Sequence, residues 1–409
     1  MKYNLYIKLF AISILAINFL FSNFEKEIQT KLILASPGDI ITIPAGSQSI
    51  LSTLSLEGKE NITIRGMGID VSTLSFANQD NGAEGLRIIN CKNIKLENFT
   101  VEDSKGDGIK VQDTDGITFH NIKTEWTSGP NSNNGAYGIY PVECTNVIID
   151  SCIAIGASDA GIYVGQSKEI IVKNNEAYHN VAGIEIENSI NADVFENYAH
   201  DNTGGILIFD LPDLLVKKGG NVRVFNNKVE NNNLNNFAPE GNIVGFVPAG
   251  TGIMVLATSD IEIYNNDIIN NKTVGTAIVS YFMTELEITD SLYNPYTSAI
   301  HIHDNLYTSK KQIPTLKHDI GKLFFFKFGR NVPDIIYDGM ADPQFKDDNG
   351  IIYDDRKLCI HDNKNAEFLN LQIDINFEKW YTPFLTCFSR DISEFNCEHS
   401  SLKEVQLNK

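Results

Sequence analysis

"NVIIDSCIAIGASDAGIYVGQS" (residues 146–167) and "EIIVKNNEAYHNVAGIEIENS" (169–189) are adjacent stretches that repeat one pattern. Each contains short apolar runs in which every second residue is β-branched, as in Ile170/Val172 and Ile184/Ile186. The runs end at Asn, Asp or Gly. A period of two bounded by turn residues indicates short β-strands and not helices.

The same pattern recurs along most of the chain. The first strand of each unit begins at Ile94, Ile117, Val147, Ile170, Ala192, Val222 and Ile261, in steps of 23, 30, 23, 22, 30 and 39 residues. A second marker keeps the same spacing: Gly108-Ile109, Gly138-Ile139, Gly161-Ile162, Gly183-Ile184 and Gly205-Ile206. Units of 22–23 residues, some with inserted loops, predict three short strands per coil. The fold class is therefore all-β, a right-handed parallel β-helix with N-terminal capping strands and a loop-rich C-terminal cap.

Asparagine marks one turn of successive units, at Asn175, Asn197, Asn227, Asn266, Asn305 and Asn363. Asn adopts left-handed conformations easily and bonds to neighbouring backbone groups. We interpret this column as structural.

Three segments are expected. Residues 1–22 contain Lys2, Lys8 and the apolar run 9–21, which predicts a signal peptide and a periplasmic or extracellular protein with no stable membrane span after cleavage. The β-helix is expected over 23–305, and the last irregular coils with the C-terminal cap over 306–409.

The chain has 33 Lys+Arg against 52 Asp+Glu, a net charge of −19, which disfavours nucleic acid as a partner. The oligomeric state stays open.

The six cysteines are too few for a disulfide scaffold. Cys91, Cys144 and Cys152 are expected to be buried as small hydrophobic residues. In an oxidising compartment, one disulfide is expected among Cys359, Cys387 and Cys397, with the pairing left open.

Several runs resemble, in order, an exported bacterial family of parallel β-helix repeat proteins. They are "GAYGIYPVECTNV" (135–147), "ASDAGIYVGQS" (157–167), "NVAGIEIENS" (180–189), "TGGILIFDLPD" (203–213), "NFAPEGN" (236–242) and "VPAGTG" (247–252). The resemblance extends from about Leu32 almost to the C-terminus. It implies the fold and export of the family, whose biochemical function is not established.

A looser similarity is to mannuronan epimerases and polysaccharide lyases of β-helix fold. The epimerases carry a Tyr-Gly-X-Asp-Pro-His-Asp motif, and Tyr137, Gly138 and Pro141 match it. Tyr140 stands at the first Asp, Val142 at the His and Glu143 at the last Asp. This resemblance implies a polysaccharide substrate, but most of the proton-transferring residues of the motif are replaced.

Alignment of the coils on Gly-Ile gives one outward column: Arg87, Lys110, Tyr140, Tyr163 and Glu185, continuing to Leu207. Neighbours in it should lie about 4.8 Å apart, forming a shallow strip for a sugar chain. Uronate lyases and epimerases need a neutralised carboxylate, a base and an acid. We predict Lys110, Tyr140 and Tyr163 as catalytic residues. Arg87, Glu143, Glu185 and Trp126, in the loop before the Tyr140 coil, are predicted to bind substrate.

Two metal hypotheses follow from the same register. A ladder of oxygen-bearing side chains (Asn90, Asp113, Glu143, Gln166, Asn188, Asp210) could hold Ca²⁺, although turn capping is the simpler interpretation. His301 and His303 share a face, and His361 could lie on a neighbouring coil. A histidine pair with no clear third ligand is more often a solvent-facing ladder, so no metal site is assigned.

The function predicted from the sequence is binding of extracellular or periplasmic polysaccharide, with modification by lyase or epimerase chemistry. Whether the protein is an enzyme is left open. One alternative is a non-catalytic carbohydrate-binding or envelope scaffold protein. The other is an accessory factor for a periplasmic metalloenzyme.

Overall fold

The computed structural model describes residues 24–376 and 388–407. The predicted signal peptide and Cys387 lie outside these ranges. The strands are β1 (Ile40–Thr42), β2 (Gly46–Ser49), β3 (Ser52–Glu57), β4 (Glu60–Arg65), β5 (Ser72–Ser75), β6 (Asn81–Ile89), β7 (Lys92–Glu102), β8 (Ile109–Gln112), β9 (Asp115–Glu125), β10 (Tyr137–Val142), β11 (Thr145–Asp150), β12 (Ile153–Ile155), β13 (Ala160–Gly165), β14 (Lys168–Lys173) and β15 (Glu176–Tyr178). They continue as β16 (Ala182–Glu187), β17 (Ile190–Phe195), β18 (Tyr198–His200), β19 (Gly204–Phe209), β20 (Gly220–Phe225), β21 (Lys228–Glu230), β22 (Thr251–Leu256), β23 (Ser259–Tyr264), β24 (Asp267–Ile269), β25 (Val274–Val279), β26 (Ser298–His303), β27 (Leu306–Thr308), β28 (Ile335–Tyr337), β29 (Leu358–His361) and β30 (Phe368–Asn370).

Helices are few and lie at the ends and in the insertions. The α-helices are α1 (residues 24–34), α2 (Asp319–Phe328) and α3 (Ile373–Asn376). Short 3₁₀ turns occur at Ile243–Phe246, Tyr281–Thr284, Pro343–Phe345, Asp354–Arg356 and Ser393–Phe395. In the described ranges, every helix is too short or too polar to cross a bilayer.

The strands stack in parallel register on three faces, which confirms the predicted fold class. The first face contains β1, β4, β7, β9, β11, β14, β17, β20, β23, β26 and β29. The second contains β2, β5, the later parts of β7 and β9, β12, β15, β18, β21, β24 and β27. The third contains β3, β6, β8, β10, β13, β16, β19, β22, β25, β28 and β30.

The interior consists of columns of aligned aliphatic side chains. Ile94 pairs with Ile117, Val147 with Ile170, and Ala192 with Val222, as the repeat spacing predicts. These residues are buried in one continuous core that runs the length of the solenoid. Cys91, Cys144 and Cys152 are buried free thiols, as predicted.

The N-terminal end of the core is closed by α1 together with the first strands, a helix that the strand pattern did not predict. Ile28 and Leu32, four residues apart on one helix face, are buried against the core. The Gln29 side-chain amide donates to the Ser55 carbonyl at 3.0 Å and accepts from the Ser55 N–H at 2.9 Å. The helix thus satisfies backbone groups on the edge strand β3, which would otherwise be open to pairing with another chain.

The C-terminal end is closed by a segment that returns to the last coils. A disulfide joins Cys359 in β29 to Cys397, so one of the open pairings is the one formed. Phe395 packs against Phe368 and Tyr337, with ring centroids 4.9 and 5.8 Å apart. Both ends of the solenoid are therefore covered by the chain itself.

The outer side of the third face carries a second apolar cluster. Val244 and Val247 from the insertion at residues 232–250, Tyr281 and Tyr293 from 281–297, and Phe324 from α2 pack over its strands. Long insertions therefore cover one face selectively. This covering decides the form of the candidate site.

Candidate active site

The predicted outward column lies on the third face in the expected register. Arg87 pairs with Lys110 and Lys110 with Tyr140; on the coil after Tyr140, Tyr163 pairs with Glu185. The Lys110 Nζ atom lies 5.3 Å from the centre of the Tyr140 ring, within range of a cation–π interaction. The structure therefore brings five of the seven predicted site residues onto neighbouring coils.

Three tyrosine rings form the centre of the column. Tyr137 lies 4.5 Å from Tyr140 and 4.4 Å from Tyr163, measured between ring centroids. Tyr140 and Tyr163 meet edge to face at 5.1 Å. Tyr137 and Tyr140 remain partly exposed. They form an aromatic surface at the edge of the covered region.

The expectation of an open shallow strip is wrong beyond Tyr140. Tyr163 is 4% exposed and Glu185 is 2% exposed. The cause is the insertion at 232–250, which folds back over the third face and brings Asn242 into contact with Asp159. The repeat period encodes position along the solenoid but not the path of an inserted loop.

Three carboxyl groups are buried beneath the tyrosines and this loop: Asp159, Glu185 and Glu187. The Tyr163 hydroxyl donates to Glu187 Oε1 at 2.5 Å, and the Asn242 amide donates to Asp159 Oδ2 at 3.1 Å. Glu185 Oε2 is buried with no hydrogen-bond partner in the described part of the chain. We call these three residues the acidic cluster.

Burial raises the pKa of all three carboxyl groups of the acidic cluster, because the charged form loses its hydration. Repulsion by the charge on Glu187 raises the pKa values of Asp159 and Glu185 further. Within residues 24–376 and 388–407, no Lys, Arg or His forms an ion pair with the cluster. At neutral pH the cluster therefore holds protons that ordinary carboxyl groups would have lost.

Two further carboxyl groups lie close by. Burial raises the pKa of Asp107 to about 6, opposed by the Tyr137 backbone N–H, which donates to Asp107 Oδ1 at 3.3 Å, and by Lys110. Burial also raises the pKa of Asp210 to about 8, although both its oxygens accept from the Gly219 N–H at 3.0 Å. Groups that titrate near neutral pH on one face are typical of acid–base sites.

Four residues of the site were not predicted from the sequence: Asp107, Tyr137, Asp159 and Glu187. Glu187 could have been found, because it lies two residues beyond Glu185 and a strand returns to the same face with that period. Tyr137 matches the first residue of the epimerase-like motif, but it was not predicted to take part in binding or catalysis. The positions of Asp107 and Asp159 depend on turns between strands, which the period does not describe.

The other predicted binding residues lie at the margin of this site. Trp126 is 4% exposed, and its Nε1 donates to the Ser104 carbonyl at 2.8 Å, so its ring is packed beneath its own loop. Glu143 accepts from the Gln112 side chain at 2.9 Å. Arg87 is partly buried, and its Nε has no hydrogen-bond partner in the described chain.

The oxygen-bearing ladder follows the turns of the third face. Asn90, Asp113, Glu143, Gln166 and Asn188 all have positive φ angles, between 41° and 56°. Gln166 accepts from the Leu215 N–H at 2.8 Å, and Asn188 accepts from the Leu211 N–H at 2.7 Å. These bonds are those of turn and loop capping. Ca²⁺ binding by this ladder stays a prediction.

Solved structures that partly superpose on this chain include three polysaccharide-active enzymes. The A-module of a mannuronan C-5 epimerase of Azotobacter vinelandii is 14% identical over 80% of this chain and 86% of its own, with a TM-score of 0.47. Endopolygalacturonase I of Stereum purpureum is 16% identical over 67% of this chain and 94% of its own, with a TM-score of 0.44. An alginate lyase of a Paenibacillus species is 14% identical over 69% of this chain and 94% of its own, with a TM-score of 0.30. Values this low establish no correspondence between sites.

The family comparison agrees with the architecture seen in the chain itself. No curated protein sequence matches the chain. Residues 54–217 match the family model described as a right-handed beta helix region. This stretch contains the acidic cluster and the three tyrosines. Its stacked parallel coils have the architecture that this family model describes.

Proposed function

We propose that this is an exported protein that binds polysaccharide on the third face and modifies it by acid–base chemistry at the acidic cluster. The observation that carries the proposal is Glu185, a 2% exposed carboxyl group with an unpartnered oxygen. A general acid must hold a proton at working pH, and enzymes achieve this by burying a carboxyl group near other carboxyls.

The charges of the site favour hydrolysis of a neutral polysaccharide. Five carboxyl groups (Asp107, Asp159, Glu185, Glu187, Asp210) face three cations: Arg87, Lys110 and, beside Asp210, Lys218. A uronate placed there would need its own carboxylate neutralised, whereas a glycosidic bond needs one protonated and one ionised carboxyl. Glu187, which accepts the Tyr163 hydroxyl at 2.5 Å, is the better base because this bond favours its ionised form. Glu185 is the better acid.

The partly exposed aromatic rings supply the binding surface. Tyr137 and Tyr140 present ring faces of the kind that stack on the apolar side of a sugar. Asn242, which reaches the cluster from the 232–250 insertion, would hold Asp159 in place beneath them. The substrate would thus meet the tyrosines first and the carboxyl groups below.

A uronate lyase or epimerase is the second candidate. Its support is the basic end of the column, where Lys110 lies over the Tyr140 ring at 5.3 Å next to Arg87. In this case Lys110 neutralises the substrate carboxylate and Tyr140 transfers the proton. Tyr163 is a poor base, because burial and the charge on Glu187 raise its pKa well above the usual range.

The test is incubation of the purified protein with neutral and uronic-acid polysaccharides, followed by assays of new reducing ends and of the ultraviolet absorbance of unsaturated ends. We expect reducing ends from a neutral polymer, with activity lowered about 100-fold or more in Glu185→Gln and Glu187→Gln. Glu196→Gln, an exposed glutamate at a turn between the first and second faces, is the matched control. Circular dichroism verifies that each variant is folded.

The other outcomes separate the alternatives. Unsaturated ends, or epimerised uronate detected by NMR, that depend on Lys110 and not on Glu185 would establish the second candidate. Retardation of the protein by a polymer in an affinity gel without any product would contradict the enzymatic proposal and support a non-catalytic binding protein.

A further inference from the structure

Three histidines meet on the first face, away from the acidic cluster. His301 and His303 project outward from β26, and His361 lies on the next coil in β29, paired in register with His303. The Nε2 atoms of His301 and His361 are 2.8 Å apart. One ring nitrogen from each of the three residues lies within 4.8 Å of the other two.

Two of these imidazoles are fixed by the aspartate that follows each in sequence. Asp304 Oδ2 lies 2.9 Å from His303 Nδ1, and Asp362 Oδ2 lies 3.0 Å from His361 Nδ1. Each carboxylate is placed to accept from the Nδ1–H of its ring, which leaves the Nε2 atom on the side of the common centre. Metal-binding histidines are characteristically held by an acceptor of this kind on the other ring nitrogen.

His301 has unusual surroundings for a buried imidazole. It is 4% exposed, and its Nδ1 has no hydrogen-bond partner in the described part of the chain. Its Nε2 faces another imidazole nitrogen and not a carbonyl or carboxylate. Glu262, on the preceding coil, places Oε1 3.3 Å from His303 Nε2. The protein thus gathers three imidazoles at one point, with the Glu262 carboxylate beside the His303 ring.

A route for a cation leads to this point from the surface. A pocket of about 390 Å³ opens over His301, and its wall contains five carboxylates: Asp260, Glu262, Asp354, Asp355 and Glu398. Arg356 pairs with Asp260 and Asp355, and Lys357 pairs with Asp354, so the wall is acidic but partly neutralised. The remaining negative charge attracts cations. The segment after Cys397 forms part of the wall, where the Leu402 N–H donates to Glu262 Oε2 at 3.0 Å.

We propose that His301, His303 and His361 bind a divalent transition-metal ion, with Zn²⁺ the first candidate. Three imidazoles suit this class of ion, whereas Ca²⁺ prefers oxygen alone. Tetrahedral Zn–N bonds of about 2.0–2.1 Å place two ligand nitrogens about 3.3 Å apart. The His301–His361 separation would therefore widen by about half an ångström on binding.

A histidine held by an aspartate in the same way also occurs elsewhere in the chain, without two other imidazoles beside it. His200 Nδ1 lies 2.8 Å from Asp201, and its Nε2 lies 3.1 Å from Glu176. This shows that a His–Asp pair alone is a surface feature of the coils. What distinguishes the proposed site is the convergence of three imidazoles, so His200 provides a matched control.

The experiment is titration of the purified, chelator-treated protein with Zn²⁺ alone, by calorimetry and by metal analysis after gel filtration. We expect one ion per chain, with affinity lowered about 100-fold in His361→Asn and His301→Gln, and about 10-fold in the orienting variant Asp362→Asn. His200→Gln should bind as the unaltered protein does. Co²⁺ should give the visible absorption of a tetrahedral site, which those ligand variants lack.

The proposal is overturned if no stoichiometric ion is bound, or if His361→Asn and His301→Gln bind as tightly as His200→Gln. His361, which lies nearer the surface than His301, keeps the test valid if the His301 variant does not fold. Metal binding is independent of polysaccharide activity, so this result and that of the proposed function can be judged separately.

Discussion

At the scale of single residues, buried asparagines link the coils more extensively than the sequence analysis recognised. The predicted column is present, and a second one lies beside it: Asn180, Asn202, Asn232 and Asn271. Its steps of 22, 30 and 39 residues equal those between Asn175, Asn197, Asn227 and Asn266, a signal that could have revealed it. Each side chain bonds to a neighbouring coil, so the ladders hold successive turns in register.

Asn202→Ala should destabilise the protein markedly. The Asn202 side chain accepts from the Asn180 N–H at 2.9 Å and donates to the Ala177 carbonyl at 2.8 Å. Each buried group left without a partner costs about 1–3 kcal/mol, so we expect the free energy of unfolding to fall by at least about 2 kcal/mol. Chemical denaturation measures this, with the exposed Asn235→Ala as control. Equal stability of the two variants would show that the ladder is dispensable.

The site residues illustrate what a repeat register can and cannot predict. Tyr140, Tyr163 and Glu185 were placed together correctly because strand pairing converts sequence spacing into distance. Asp159 was missed because its partner, Asn242, is 83 residues away in an inserted loop. Trp126 was expected at the surface, but the conformation of its loop buries it.

At the scale of elements, the Gly-Ile marker has a steric cause. A Cβ atom at Gly183 would lie 2.6 Å from the Gly205 carbonyl oxygen and 2.8 Å from the Asn202 amide. Gly205 and Gly252 are confined in the same way by the following coil. Glycine therefore recurs at the start of these third-face strands because a Cβ atom there would collide with the backbone of the next coil. It would also collide with an amide of the second asparagine ladder.

Gly183→Ala should accordingly strain the stacking of β16 on β19. Overpacking of this kind costs about 1–3 kcal/mol. Thermal and chemical unfolding measure the loss, and Gly245→Ala is the matched control because no atom lies within 4 Å of its added Cβ. A Gly183→Ala protein as stable as the Gly245→Ala protein would contradict the steric explanation of the repeat.

At the scale of the whole molecule, three faces of one solenoid have different surroundings. The repeat predicted the solenoid, since local spacing and turn residues specify each coil. It did not predict α1 at the N-terminal end or the covering of the third face, because both depend on where non-repeating segments pack. That covering removes the acidic cluster from water, and the loss of hydration raises the pKa values of its carboxyl groups.

The protonation state of the cluster can be measured directly by infrared difference spectroscopy of the protein against Glu185→Gln across a pH titration. Because the pKa values are raised, protons should remain on the cluster at neutral pH and leave only as pH rises further. We expect a protonated-carboxyl band at pH 7 that is absent or weaker in Glu185→Gln. Absence of this band, with all cluster carboxyls losing their protons at the pH of ordinary Asp and Glu, would contradict this expectation.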